Sequence, residues 1–286
     1  MTTATMPLRT TSTSRFRPAR TLRYLALYFG LVLVLIPVYV LLVTSFKSGV
    51  EATATNAWTL PQNWTLENWA KAWDTLSPSM WRSVQFVIPQ AIVAAFLGSL
   101  NGFVLSRWRF RGANIVFTLI LFGMFIPYQA VIIPLNQLLL GLNVPSGVPS
   151  LLLLHIVYGI PICTLIFRNY YESVPNELIE AARVDGAGMF RTYASVVLPI
   201  SIPSFVVVLI WQFTSAWNDF LFAVFFSTAA NGPVTLALNN LANGAQLQDY
   251  GASMAGALLA SLPTLVVYIL LGKYFVGGLM SGSVKG

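Results

Sequence analysis

Six long apolar runs constrain this chain more than any other feature. They fall at about Leu25–Thr44, Val84–Leu105, Ile115–Leu135, Ser150–Phe167, Ile200–Phe226 and Ser253–Tyr274. A bilayer core about 30 Å thick is crossed by roughly 20 helical residues. Within it each backbone N–H and C=O must be paired inside its own segment, which favours helices. The chain is 56% hydrophobic and 9% charged, with a mean hydropathy of +0.72, too little charge to cover a water-facing surface. The expected fold class is therefore all-α, a polytopic membrane protein with six transmembrane helices. The third run contains Pro127 and Pro134 and is expected to kink or to continue as a broken piece.

Six crossings put both termini on one side, and basic residues identify that side. Loops on the N-terminal side hold thirteen Lys and Arg, among them Arg15, Arg107, Arg168, Arg183 and Lys273; the other side holds three, Lys47, Lys71 and Arg82. That asymmetry places both termini in the cytoplasm. The net charge of +7 then reflects topology and anionic lipid, not nucleic acid. Residues 1–22, rich in Ser, Thr and Arg, are expected to be a disordered cytoplasmic tail, and residues 23–286 the six-helix domain. The segment Lys47–Arg82 is external, and its tryptophans suit the membrane–water boundary.

Catalytic chemistry is not written in this chain. The single Cys163 and single His155 cannot build a His/Cys metal site, which takes three or four ligands, and His155 is expected to pack between helices. No glycine-rich nucleotide loop, HExxH or GxSxG pattern occurs. The chain is expected to be no enzyme, with no metal and no cofactor of its own. An ion-coupled carrier or a channel is the alternative class. Such a carrier would need intramembrane ionisable groups, and only Asp219 qualifies. Gln212, Ser215 and Asp219 are spaced i, i+3, i+7, one face of a continuous helix. With Asn218 they are candidates to line a translocation path. The bland alternative is that Asp219 fixes a local bend. Prolines at 37, 89, 127, 161, 203 and 263 fall in six different runs and suggest bent helices around a space.

One stretch departs from this composition. Six charged residues, Glu172, Glu177, Glu180, Arg183, Asp185 and Arg191, cluster in a cytoplasmic loop at about 169–196. Pro175 suits a first helical turn, and Glu177 and Glu180 suit the positive end of a helix dipole. Gly186 is placed to end that helix, and a second helix is expected from about Gly188 to Leu198-Pro199. Small Ala181 and Ala182 let another surface approach closely.

The stretch "EAARVDGAGMFRTYASVVLP" resembles the EAA motif of membrane subunits of ATP-binding-cassette importers. Its elements are Glu180-Ala181-Ala182, Asp185-Gly186-Ala187 and Leu198-Pro199. "PVYVLLVTSFKSG", "WTLENWAKAW", "LSRWRFRG", "WNDF" and the ending "KYFVGGLMSGSVKG" resemble the carbohydrate-uptake branch, in particular its shorter, six-span, maltose-permease-like members. The resemblance implies a type I importer permease in a bacterial or archaeal cytoplasmic membrane. Its implied partners are a second homologous permease, an ATPase dimer that binds ATP and Mg, an extracytoplasmic sugar-binding protein and the lipid bilayer. It further implies that Glu180 pairs with a basic residue of the ATPase. Ala181 and Ala182 would pack in the ATPase cleft, with Asp185, Gly186 and Ala187 completing the contact. Ser281, Ser283 and Lys285 are implied as a secondary ATPase contact. The ending is similar to glucose/mannose-type systems, so a monosaccharide is the expected cargo, with maltose, trehalose, other oligosaccharides or glycerol phosphate as alternatives.

Overall fold

The computed structural model describes residues 18–108, 110–244 and 249–281. Among these residues all regular structure is helical. Four helices are long and apolar enough to cross a membrane, and six if each of two bent pairs counts as one span. The first is α1 (Pro18–Ser45). It starts inside the segment expected to be an unstructured tail, so residues 18–22 are helical; residues 1–17 lie outside the described residues. α1 rests on the last helix and is otherwise exposed along its apolar length.

α2 (Glu67–Arg107) has 41 residues and is about 60 Å long at 1.5 Å per residue, twice a hydrocarbon core. The expected span at Val84–Leu105 is only its inner part. Its outer extension is too polar to register as an apolar run, yet Glu67 and Lys71 pair at 2.8 Å one turn apart. Asn68 then ties the extension down, its amide donating to the carbonyls of Ser45 at 3.1 Å and Lys47 at 2.7 Å.

The third run is broken as expected. α3 (Ala113–Phe122) leads through a 3-10 turn at Gly123–Phe125 to Pro127, and α4 (Tyr128–Gly141) departs at 99°. α5 (Val148–Ser173) forms the fourth span and carries Pro161 within it. The cytoplasmic helices α6 (Asn176–Val184) and α7 (Met189–Thr192) follow. A π-helical turn at Tyr193–Val197 and the short α8 (Leu198–Ile200) lead into α9 (Ile202–Trp217), with a bend of 77°. α10 (Leu221–Phe226), α11 (Val234–Asn243) and α12 (Tyr250–Ser281) complete the chain. Of the six prolines, those at 37, 89, 161 and 263 lie inside helices. Pro127 and Pro203 instead sit at helix starts beside the breaks, where a missing N–H costs nothing.

The α2–α5 pair is the centre of the bundle, with α9 and α12 packed against α2. Gly98 and Gly102 make its close approach possible: a Cβ on Gly98 would lie 2.2 Å from the Cys163 Cβ, and one on Gly102 2.7 Å from the Arg168 backbone nitrogen. Two glycines four residues apart let helix backbones touch in lipid, where packing has to replace the hydrophobic effect. Around this seam are two apolar clusters. The outer one holds Phe86, Leu154, Trp217, Phe222 and Val234; the cytoplasmic one holds Phe103, Phe167, Ile179, Tyr193 and Val208. Ile179 belongs to α6, so the cytoplasmic loop is part of the core.

Candidate functional site: the cytoplasmic helix corner

α6 has an inner and an outer face. Ile179 and Ala182, three residues apart, are 5% and 8% exposed and pack inward. Leu178, Glu180, Ala181 and Val184 are exposed, Val184 by 88%, and Phe190 on α7 is 77% exposed. This corrects the expectation for Ala182. It turns into the chain's own core, because a helix that presents Ala181 outward carries the next residue about 100° round. The apolar outer stripe at positions 178, 181 and 184 was not foreseen. The signal was present as an apolar i, i+3, i+6 pattern, but it was hidden by the charges between.

The ends of α6 follow from the sequence. Pro175 is the cap, with ψ 136°, so the helix begins one residue after it, and Glu177 occupies the first turn. At the other end the Gly186 N–H donates to the Arg183 carbonyl at 3.0 Å and the Ala187 N–H to the Ala182 carbonyl at 2.9 Å. Those two bonds are the Schellman arrangement, which requires a left-handed residue at the turn. Gly186 supplies it with φ +76°. Nothing lies within 4 Å of a Cβ built there, so only the backbone conformation demands glycine. Gly186→Val is expected to cost about 1–3 kcal/mol locally and to lower the melting temperature of the solubilised chain. Gly186→Asn, whose side chain tolerates this conformation, should melt close to the parent. Equal melting of both variants and the parent would refute the role of the turn.

Among the described residues Glu177, Glu180, Arg183 and Asp185 form no ion pair within the chain, whereas Arg168 and Glu172 on α5 pair at 3.2 Å. The corner therefore offers charged groups around an apolar stripe. A cleft of about 730 Å³ lies behind it, between the end of α2 and the α6–α7 corner, and Arg107, Trp108, Asn176 and Thr192 are in its wall.

Below the corner is a buried hydroxyl cluster that sequence reading missed. Ser99 Oγ lies 2.6 Å from the Tyr171 hydroxyl and 2.8 Å from the Tyr193 hydroxyl. The Tyr171 hydroxyl donates to Ser201 Oγ at 3.2 Å, and Ser201 donates to the Val197 carbonyl at 2.6 Å. The cluster joins α2, α5, the π turn and the bend before α9. A tyrosine buried among apolar groups needs a partner for its hydroxyl; that rule was the available signal, but it names no partner.

The proposed path residues do not share a face. α9 ends at Trp217, so Asp219 lies beyond the helix and the i, i+3, i+7 register fails. Asn218 donates its amide to the Thr214 carbonyl at 2.9 Å, and an Asp219 carboxylate oxygen accepts the Phe222 N–H at 3.0 Å, starting α10. The same oxygen is 3.6 Å from His155 Nε2, and the two side chains are 15% and 10% exposed. His155 is stacked on Phe86 with Phe222 at its edge, a packing position as expected. Gln212 is buried and donates to the Gly159 carbonyl at 3.1 Å and to Cys163 Sγ at 2.9 Å, fastening α9 to α5. Ser215 and Asn218 are exposed. Of the tail residues, Ser281 ends α12, and Ser283 and Lys285 lie outside the described residues.

Comparison with known proteins gives the family and the fold. Residues 94–279 match the family described as binding-protein-dependent transport system inner membrane component. The chain is 38% identical over 274 residues to a probable ABC transporter permease protein of Pyrococcus horikoshii, covering 95% of this chain and 99% of that one. It is 35% identical over 283 residues to a xylose/arabinose import permease protein of Haloferax volcanii, covering 91% and 92%. In fold it is similar to a chain of a bacterial ABC transporter involved in the import of the acidic polysaccharide alginate. That match has a TM-score of 0.77 at 19% identity and covers 94% of this chain and 100% of the other. The family match runs from the last third of α2 through the cytoplasmic corner to most of α12, and this chain belongs to the family of binding-protein-dependent transport system inner membrane components.

Proposed function

We propose that this chain is half of the translocation pathway of an ATP-driven sugar importer, and that its α6–α7 corner docks onto a separate ATPase. The family is a transport component, so the chain is not an enzyme; ATP and Mg belong to the ATPase. The observation that carries the reading is the outer face of α6. Leu178, Ala181 and Val184 are held exposed on a helix whose opposite face is locked into the core, and beside them Glu180 forms no ion pair among the described residues. An exposed apolar stripe rimmed by charge is the anatomy of a protein interface. On this reading the remaining partners are a second permease and an external sugar-binding protein, in a bacterial or archaeal cytoplasmic membrane. Ser215 and Asn218, exposed on the outer half, are the candidates to meet the passing sugar, since amides and hydroxyls match sugar hydroxyls. Gln212 and Asp219 have structural bonds of their own.

For the cargo the reading favours a monosaccharide of the glucose/mannose type. The C-terminal sequence supports it, and likeness to a permease named for xylose and arabinose import supports the wider class of monosaccharides. The test is ATP hydrolysis by the reconstituted assembly with its binding protein. Stimulation by glucose or mannose and none by maltose, trehalose or glycerol phosphate is the expected result. Stimulation by an oligosaccharide alone would overturn the monosaccharide assignment and leave the importer reading intact.

A further inference from the structure

The cytoplasmic corner is joined to the span before it by a very short link. α5 ends at Ser173 and α6 begins at Asn176, leaving only Val174 and Pro175 between them, both with extended ψ of 131° and 136°. Single-bond rotation at Val174 can swing α6 about the end of α5. Packing of Ile179 and Ala182 into the core opposes that swing.

Arg107, the last residue of α2, bridges the link itself. One terminal nitrogen of its guanidinium donates to the Tyr171 and Val174 carbonyls, and the other donates to Asn176 Oδ1. Its acceptors thus run from the last turn of α5, across the link, to the first residue of α6. The Tyr171 carbonyl also accepts the Val174 N–H at 3.1 Å. The last carbonyls of a helix otherwise lack partners within it, and a planar guanidinium offers donors in a fixed fork that an ammonium lacks. No carboxylate is among these acceptors, so the contact is a geometric clasp. It is anchored on a closely packed helix pair, because α2 and α5 approach each other through Gly98 and Gly102, roughly one and two turns before Arg107 on α2.

We propose that Arg107 is the positioning residue that locks the α5–α6 link, so that a force on the outer face of α6 moves α2 and α5 and is not lost as rotation at Val174. The proposal rests on the reading of α6 as the ATPase contact. It assigns Arg107 no contact with sugar or nucleotide. Its loss should separate hydrolysis from transport while leaving binding of both partners in place.

The experiment compares the reconstituted transporter with its Arg107→Gln, Arg107→Lys and Asn176→Ala forms, measuring ATP hydrolysed and sugar taken up in the same vesicles. For Arg107→Gln the expected result is ATP hydrolysis within about twofold of the parent and uptake lower by about tenfold. The ATP spent per sugar then rises, with the sugar concentration for half-maximal uptake unchanged. Arg107→Lys should rise less, and Asn176→Ala, which leaves both carbonyl bonds, less again. A merely structural role would lower hydrolysis and uptake together by loss of assembled transporter; an unchanged ratio in Arg107→Gln with the ATPase bound overturns the proposal and spares the docking reading. Should Arg107→Gln fail to assemble, Asn176→Ala decides: a raised ratio supports the clasp and an unchanged one overturns it. If no ATPase co-purifies with the unmodified chain, the docking reading falls and the proposal with it.

Discussion

Replacing Glu180 with lysine is expected to abolish uptake while the chain still inserts in the membrane at normal levels. Glu180 is exposed and forms no ion pair within the chain among the described residues. Exposed substitutions away from special features usually change stability by no more than about 0.5 kcal/mol, so insertion and folding should not suffer. The effect belongs to the interface. There the carboxylate would be desolvated against a basic side chain, and breaking such a buried pair costs about 3–5 kcal/mol. At about 1.4 kcal/mol per factor of ten, docking weakens by roughly two to three orders of magnitude or more. Reversal adds repulsion between like charges to that loss. Glu180→Gln, which removes the charge without reversing it, should fall between the two. The measurements are uptake, the amount of chain in the membrane, and the ATPase recovered with it. Full uptake and full ATPase recovery with Glu180→Lys would show that the outer face of α6 docks nothing through this residue.

Much of this arrangement could be read before the structure, and the parts that could not have physical explanations. Apolar runs mark the membrane-crossing segments because lipid demands continuous hydrophobicity. The same rule is blind to the outer extension of α2, which is helical but polar. A proline between two apolar pieces marked the break at Pro127, and a glycine after a charged helix marked the turn at Gly186. Both are local backbone constraints, so sequence carries them. Which face of α6 points inward is a matter of tertiary packing, and Ala181 and Ala182 are identical as letters. Asp219 misled for a local reason. A seven-residue spacing implies one face only if the helix continues, and here the carboxylate itself starts the next helix. The seam at Gly98 and Gly102 was not read from the sequence, although two glycines stand there four residues apart. Small residues are common in membrane helices, and the spacing becomes informative only once Cys163 is seen against it.

Gly98→Val is expected to damage the fold itself, the largest effect predicted away from the cytoplasmic corner. A Cβ there would meet the Cys163 Cβ at 2.2 Å, the Cys163 carbonyl carbon at 2.8 Å and the Thr164 nitrogen at 2.9 Å. Two of these three atoms are backbone, so no rotamer change relieves the clash and α5 has to retreat along the whole seam. Overpacking that side chains can absorb costs about 1–3 kcal/mol, and a displaced helix backbone should reach or exceed the top of that range. For a chain of this size about 3 kcal/mol corresponds to a fall of roughly 5 °C in the melting temperature. Retreat of α5 also pulls Tyr171 away from Ser99, opening the hydroxyl cluster beneath the corner. Thermal unfolding of the detergent-solubilised chain tests this, with Gly30→Ala as the control, since nothing lies within 4 Å of a Cβ at position 30. The control should melt with the parent. Cys163→Gly combined with Gly98→Ala removes the worst contact and leaves the backbone ones, so it should recover part of what Gly98→Ala alone loses. If Gly98→Val melts with the parent, α2 and α5 are not in backbone contact, and Arg107 is then no longer anchored to a rigid pair.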